Sequence, residues 1–357
     1  MLNIFAIFAK ITKNDMTKRV SITDLALAAG VSKTLVSMVL NGKARENGIS
    51  PDTEARVIEI ARKMNYQPNA FARGLRMGKS NTIGLILPDI SNSFYAILAR
   101  SVEDIARKNN YSVIMCSSDE NKESETNLLR LMADKQADGI ILASTLDNDK
   151  QILNILDENY PLILVDREWA NTKFPVVKVD NYNATKQATE YLIAKGHKKI
   201  SMMSIGPSHL STQLDRIQGY KDGLSSSNIP ILQNLIVEIP HYDVERCICT
   251  SIFAWRSTNT MPTAIIAANN FIAKGCLNCI INNKLTIPDE VSLISFDDIE
   301  LFHYSNPSVT AISQPVQEIG KVAFEEVLQK IKNPDYKMQN KVLSTAFIVR
   351  NSVTNIK

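Results

Sequence analysis

The sequence predicts an α/β protein, with a small all-α unit at the N-terminus followed by a core of parallel sheets in two subdomains. Three observations predict this. Ten apolar, strand-like runs alternate with helix-like stretches after Asn81. The runs are apolar on both faces, as strands covered by helices on both sides must be. Residues 16–80 lack such runs, are punctuated by helix caps, and carry eleven Lys or Arg against five Asp or Glu. At 357 residues the chain is long enough for two or three folded units. Its 45% hydrophobic and 22% charged residues are those of an ordinary globular protein rather than a disordered one.

In chain order, residues 22–29 place Ile22, Leu25 and Ala29 on one helical face, with Thr23 as the expected N-cap. Gly30 suits a sharp turn, and Ser32 caps a second helix, SKTLVSMVLN. A third, from about Thr53 to Met64, follows Ser50 and Pro51, a cap and a first-turn proline. Two short helices joined by a glycine turn and braced by a third make a helix-turn-helix, although a plain three-helix bundle shares the pattern. In the former, the second helix enters the DNA major groove with its N-terminal residues toward base edges. Residues 65–80 (NYQPNAFARGLRMGKS) form a basic, faintly helical linker with one leucine. Such a segment can fold on DNA, its leucine wedging the minor groove between flanking cations, or serve only as a tether.

The first strand-like runs are 82–89, 111–118, 138–144, 160–166 and 175–180; a second set is 198–205, 234–240, 262–269, 291–298 and 309–313. Ten strands over some 270 residues favour two α/β subdomains over one sheet. Ligands of such sheets bind beyond the C-terminal strand ends. Asp89, Ser144, Asp166 with Arg167, Asp180, Asn269 with Asn270, and Asp297 with Asp298 fall there, with Phe94, Tyr95 and Tyr242 nearby. That mixture suits a hydroxyl-rich or heterocyclic small molecule.

Charge separates the two parts. Residues 16–80 are net +6 and residues 81–357 net −4, so a polyanion is expected at one end only. Catalytic signatures are missing: there is no P-loop, no GxGxxG after a strand, no GxSxG and no HExxH. The α/β enzyme reading is therefore disfavoured. Five cysteines suggest reduced thiols. The CxC at 247–249 with the CxxC at 276–279 could form a zinc site, but Cys276 and Cys279, three apart in an apolar helix-like run, are read instead as two core residues on one helical face. No metal and no cofactor are expected. No apolar run approaches the ~18–20 residues of a membrane span. Residues 2–9 lack the flanks of a secretion signal, so a cytoplasmic location is expected, against a periplasmic solute-binding module.

Four segments carry a resemblance: SITDLALAAGVSKTLVSMVLNG (21–42), NYQPNAFARGLRMGKSNTIGLILPDISNSFY (65–95), DEVSLISFDDIE (289–300) and TAISQPVQEIG (310–320). In this order, they make the chain resemble the bacterial regulators of the lactose-repressor and galactose-repressor family from about Val20 to Ser352. The resemblance implies a helix-turn-helix headpiece over 16–68, a hinge helix and linker over 69–80, and a periplasmic-binding-protein-like core over 81–357. The core's N-subdomain would hold about 81–180 and 311–344, its C-subdomain about 181–310 and 345–357. It further implies that Lys33, Thr34 and Met38 read bases while Ser37, Asn41, Tyr66 and Asn69 fix register, chiefly on phosphates. Leu75, supported by Ala72, Arg73 and Arg76, would enter the minor groove. Phe94, Tyr95, Ser144, Asp166, Arg216, Tyr242, Asn269 and Asp297 would contact an effector, most often a sugar.

The implied protein is a homodimer on a pseudo-palindromic double-stranded operator, most often a repressor. Four residues depart from the family pattern: Met38 stands where Arg is frequent, Leu35 for Thr, Ser295 for Gly and Asn270 for Asp. Met16 stands where members normally begin, so translation from Met16 is an expectation that N-terminal mapping of native protein tests.

Overall fold

The computed structural model describes residues 20–66, 79–206, 210–240 and 243–356, and two compact units divide between Ser80 and Asn81. In the first unit, α1 (Ile22–Ala29), α2 (Lys33–Leu40) and α3 (Pro51–Lys63) close around the buried Leu25, Val36, Val39 and Val57. Ser21, not Thr23, starts α1. Its hydroxyl accepts from the Asp24 N–H at 3.3 Å while the Asp24 carboxylate accepts from the Ser21 N–H at 2.9 Å. This reciprocal pair satisfies two otherwise orphaned donors, which Thr23, already inside the first turn, could not do. Gly30 adopts φ +66, and its N–H reaches the carbonyls of Ala26 and Leu27. That left-handed residue ends α1 and turns the chain, so α1 and α2 differ in direction by 103°. The third helix begins at Pro51 with Ser50 as its cap, two residues ahead of the expected Thr53.

In the second unit the first sheet is built from β1 (Thr82–Leu87), β2 (Ser112–Ser117), β3 (Gly139–Leu142), β4 (Leu162–Val165) and β5 (Val176–Val179), with α4 (Ser93–Lys108), α5 (Lys122–Asp134) and α6 (Lys150–Leu153) between them. The second is built from β6 (Ile200–Gly206), β7 (Ile236–Pro240), β8 (Ala264–Ala267), β9 (Ser292–Phe296) and β10 (Thr310–Ser313). Its helices are α7 (Asn181–Ala194), α8 (Ser211–Ser226), α9 (Val244–Ser257), α10 (Asn270–Asn282) and α11 (Glu300–Tyr304). After α12 (Val316–Lys332), two short strands close the chain, β11 (Lys341–Leu343) and β12 (Ala346–Ile348).

Strand order is β11-β5-β4-β3-β1-β2 in one sheet and β12-β10-β9-β8-β6-β7 in the other. Among the described strands, only β12, paired antiparallel with β10, departs from parallel pairing. The two-residue strand period sorts side chains between layers. Ile83, Leu85 and Leu87 join one cluster and Ile86 another; Ile294 and Phe296 join the first while Leu293 joins a third. Because β10 pairs with β9, the return from the second sheet falls after Ser313, not at the expected 310. The chain crosses between the sheets three times: after β5, between β10 and α12, and between β11 and β12.

The outer layer of the second sheet departs from the all-thiol expectation. Cys249 on α9 and Cys279 on α10 are joined by a disulfide, while Cys116, Cys247 and Cys276 are free. The two motifs lie on adjacent helices, so the close pair comes from one cysteine of each. Among the described residues, no group of His, Cys, Asp or Glu could hold a metal ion.

Candidate nucleic-acid interface and ligand cleft

The packing of α2 decides which of its residues are presented. Val36 and Val39 are buried against α1 and α3. On the turn positions away from them, Lys33, Thr34 and Asn41 are exposed, and Ser37 and Met38 are half-buried. Lys33, Ser37 and Asn41 follow the four-residue row of the helix, as do Thr34 and Met38, so the five form one surface. Asn41 caps the end of α2: its Nδ2 donates to the Ser37 carbonyl at 2.7 Å. Tyr66 is half-buried against the headpiece core, and its N–H donates to the Ala61 carbonyl at 2.9 Å. Asn69, Ala72, Arg73, Leu75 and Arg76 lie outside the described residues.

The cleft lies where the C-terminal ends of the two sheets meet, at the switch points beside β1 and β6 from which connections leave in opposite directions. The sheets present equivalent carboxylates there. Asp166 follows β4 and Asp297 follows β9, both in the left-handed region at φ 68 and φ 71, which Asp tolerates better than most side chains. Tyr95, on the first turn of α4, donates its hydroxyl to Asp166 at 2.8 Å, and Phe94 packs edge-on against its ring. Arg167 is held by a two-pronged pair with Glu120, both contacts at 2.7 Å.

Across the cleft, Arg216 on α8 donates to Asn181 Oδ1 at 2.8 Å and to the Ala268 carbonyl at 2.6 Å. Its guanidinium lies 3.6 Å from the Phe296 ring centroid. Asp297 accepts from Gln314 Nε2 at 2.6 Å and from Asn270 Nδ2 at 3.2 Å. Asn270 also donates to Asn92 Oδ1 at 2.9 Å, a bond that joins the two subdomains. Burial pushes the Asp166 carboxyl up, against the opposing pull of Arg167, Arg216 and Tyr95, and pushes Arg216 down despite Asp297 and Asp166.

Four of the expected effector residues thus converge: Tyr95, Asp166, Arg216 and Asp297. Phe94 lines a small cavity beside them with Asp297 and Gln314. Two others are turned to the fold. Ser144 gives its proton to the buried Glu125, whose carboxyl burial pushes up, and Asn269 caps α10 by accepting from the Ile272 N–H at 2.9 Å. Tyr242 lies outside the described residues. The cleft also contains Asn270, which its place after β8 marks in the sequence, together with Asn92, Asn181, Phe296 and Gln314, which were not among the expected contacts.

Two buried acceptors stand out. Asn270 Oδ1 and Gln314 Oε1 have no hydrogen-bond partner among the described residues. Each amide turns its NH₂ to the Asp297 carboxylate, which can only accept, so the free atom in each is the oxygen.

A helix-turn-helix headpiece joined to a two-subdomain core with a polar cleft defines a ligand-responsive DNA-binding regulator. Residues 21–69 match the profile of "Bacterial regulatory proteins, lacI family". Residues 80–352 match that of "Periplasmic binding proteins and sugar binding domain of LacI family". The chain belongs to the lacI family of bacterial regulatory proteins and is a transcription regulator, not an enzyme. It is 34% identical to catabolite control protein A of Priestia megaterium, over 88% of this chain and 93% of that protein. It is 34% identical to the ribose operon repressor of Haemophilus influenzae, over 94% and 98%. The lac repressor dimer bound to operator and the anti-inducer ONPF superposes with a TM-score of 0.80 at 21% identity, covering 94% of this chain and all of that one. A LacI family regulator from Enterococcus faecium with bound ribose superposes with a TM-score of 0.67 at 27% identity, over 77% and 100%.

Proposed function

We propose that this regulator binds a neutral, polyhydroxylated effector, of the monosaccharide class, between the two core subdomains. The observation that carries this reading is the pair of buried amide oxygens on Asn270 and Gln314 that find no partner among the described residues. An orphaned buried acceptor costs about 1–3 kcal/mol, which a ligand hydroxyl recovers by donating to it. Asp166 and Asp297 add two more acceptors. Both arginines are engaged by protein groups: Arg167 by Glu120, and Arg216 by Asn181 and Ala268. A cleft with two carboxylates and two free amide oxygens, against one free donor among its described residues, the Arg167 Nε, favours hydroxyl donors over a phosphate or carboxylate. The bound ribose of the Enterococcus faecium relative is of that class.

On this reading Phe94, Tyr95, Asp166, Arg216, Tyr242 and Asp297 contact the effector, while Ser144 and Asn269 hold the cleft's backbone. Lys33, Thr34 and Met38 read bases in the major groove, and Ser37, Asn41, Tyr66 and Asn69 bind phosphates. Leu75 enters the minor groove between Arg73 and Arg76, with Ala72 beside it. The protein acts in the cytoplasm as a homodimer on a pseudo-palindrome, since two-fold protein symmetry demands a two-fold site. Effector binding shifts operator affinity by its preference for one subdomain arrangement, about 1–3 kcal/mol of coupling.

The test is titration calorimetry of the full chain against neutral monosaccharides, their phosphates and nucleosides. Binding of a neutral sugar that falls about 10–100-fold in Gln314→Leu supports the reading. Binding of phosphorylated compounds alone overturns it.

A further inference from the structure

The cysteine pair in the outer layer of the second sheet carries chemistry that effector binding does not use. Cys249 on α9 and Cys279 on α10 are separated by 30 residues in sequence, yet their Cα atoms are 5.5 Å apart, inside the ~4.4–6.8 Å span of a disulfide. Cys249 is half-buried and meets solvent, whereas Cys279 is fully buried behind it. The Asn283 amide stands 3.4 Å from the Cys279 sulfur as a donor.

No other cysteine shares this arrangement. Cys276 packs its sulfur 3.6 Å from that of Met203, and burial pushes its thiol up to about 12. Cys247 lies two residues before Cys249 on α9, and residues so spaced do not share a helix face. Cys116 is on β2, in the other subdomain.

We infer that Cys249 and Cys279 form a reversible dithiol–disulfide site, oxidised by a hydroperoxide and reduced by a dithiol, that ties α9 to α10. The Cys249 thiolate attacks the O–O bond of the hydroperoxide. An S–O bond forms, the O–O bond breaks, and the departing oxygen takes a proton to leave as water or an alcohol. The product is a sulfenic acid on Cys249. The Cys279 thiolate then attacks that sulfur. An S–S bond forms, the S–O bond breaks, and the hydroxyl leaves with a proton as water. Two thiols have lost two electrons to one hydroperoxide, and exchange with an external dithiol reverses the change. The closed loop contains β8 together with Asn269 and Asn270, so oxidation constrains the segment that delivers Asn270 to the cleft.

The experiment uses the full-length protein, reduced, freed of reductant and exposed to hydrogen peroxide, with differential alkylation and peptide mass spectrometry. The expected result is the loss of two of the five thiols and a single cross-linked peptide joining Cys249 to Cys279, restored by dithiothreitol. The melting temperature should be higher oxidised than reduced, because the closed loop restricts the unfolded chain. In Cys279→Ser, Cys249 should stop at sulfenic acid and be captured by dimedone. In Cys249→Ser, peroxide should leave Cys279 a free thiol. A bond between other cysteines, a bond between two chains, or five free thiols after peroxide would each overturn the inference.

Discussion

Arg216 is the residue through which the cleft's wiring can best be weighed. It is 4% exposed, donates to Asn181 and Ala268 at 2.8 and 2.6 Å, and lies 3.6 Å from the Phe296 ring centroid. Arg216→Met keeps the length and the apolar contact with the ring but removes both donors and the charge. Two charge-assisted hydrogen bonds are worth about 1.5–3 kcal/mol each, and a desolvated cation–π contact about 2. Against this, the cost of burying the guanidinium disappears, several kcal/mol by itself. Breaking a buried charge cluster by removing one member costs about 3–5 kcal/mol net, because the partners stay buried.

At roughly 2–4 °C per kcal/mol for domains of 150–250 residues, the melting temperature of the full chain should fall by about 6–20 °C. Differential scanning fluorimetry measures this directly. Part of the loss should return on acidification. The Asp166 carboxyl is already raised by burial, and without Arg216 it rises further. The folded state then binds the proton more tightly than the unfolded chain, and stability increases as pH falls through that window. A fall of less than about 3 °C would show that the guanidinium's burial cost already cancels its bonds.

Three further outcomes are expected. Lys33→Ala removes an exposed cation from the first turn of α2 and should weaken operator binding by about 1–3 kcal/mol. Random DNA should lose less, and equal loss on both in a mobility-shift titration would make Lys33 a phosphate contact. Gly30→Ala meets nothing within 4 Å among the described residues, so its cost is that of forcing φ +66 on an L-residue, about 1–2 kcal/mol. Operator affinity should drop while the core's melting temperature stays constant. Burial holds the His197 imidazole below its ordinary value, so its neutral form is favoured in the fold. The stability tied to it is complete above the unfolded pKa and is lost as pH falls below about 6.5. His197→Gln should flatten the slope of melting temperature between about pH 7 and 5, and an unchanged slope would assign it to other groups.

The strands of both sheets were legible where they are apolar on both faces. β11 and β12 were not: each has three residues at a sheet edge, and KVL and AFI are too short to show a period. The N-cap of α1 was misplaced because Thr23 looks as good a cap as Ser21, while the decisive mark is Asp24, three residues beyond Ser21 and able to bond back. In the cleft, carboxylates and amides after β4, β8 and β9 could be read from their positions. Asn181 and Gln314, just past the ends of β5 and β10, obey the same rule: at β5 it pointed to the neighbouring Asp180, which caps α7 instead, and at β10 the strand-like run 309–313 stops one residue short of Gln314. Phe296 could not be found that way: within an apolar strand, nothing marks one aromatic as the platform for Arg216. Glu125 reads as an ordinary helix-surface glutamate, and only the packing of α5 against β3's end buries it on Ser144 and Thr145.

The three crossings between the sheets bear on how the chain matures during synthesis. Each sheet receives its last strand from residues 341–348, so neither subdomain is complete while the ribosome is still translating α12. Until then β5 and β10 both present bare edges, the part of a sheet most prone to pair with another chain. The headpiece has its own core within residues 22–66 and is made first. A nonsense mutation between the end of α12 and codon 341 would therefore strip an edge from both sheets at once, yet leave the DNA-contact helix with all its packing partners.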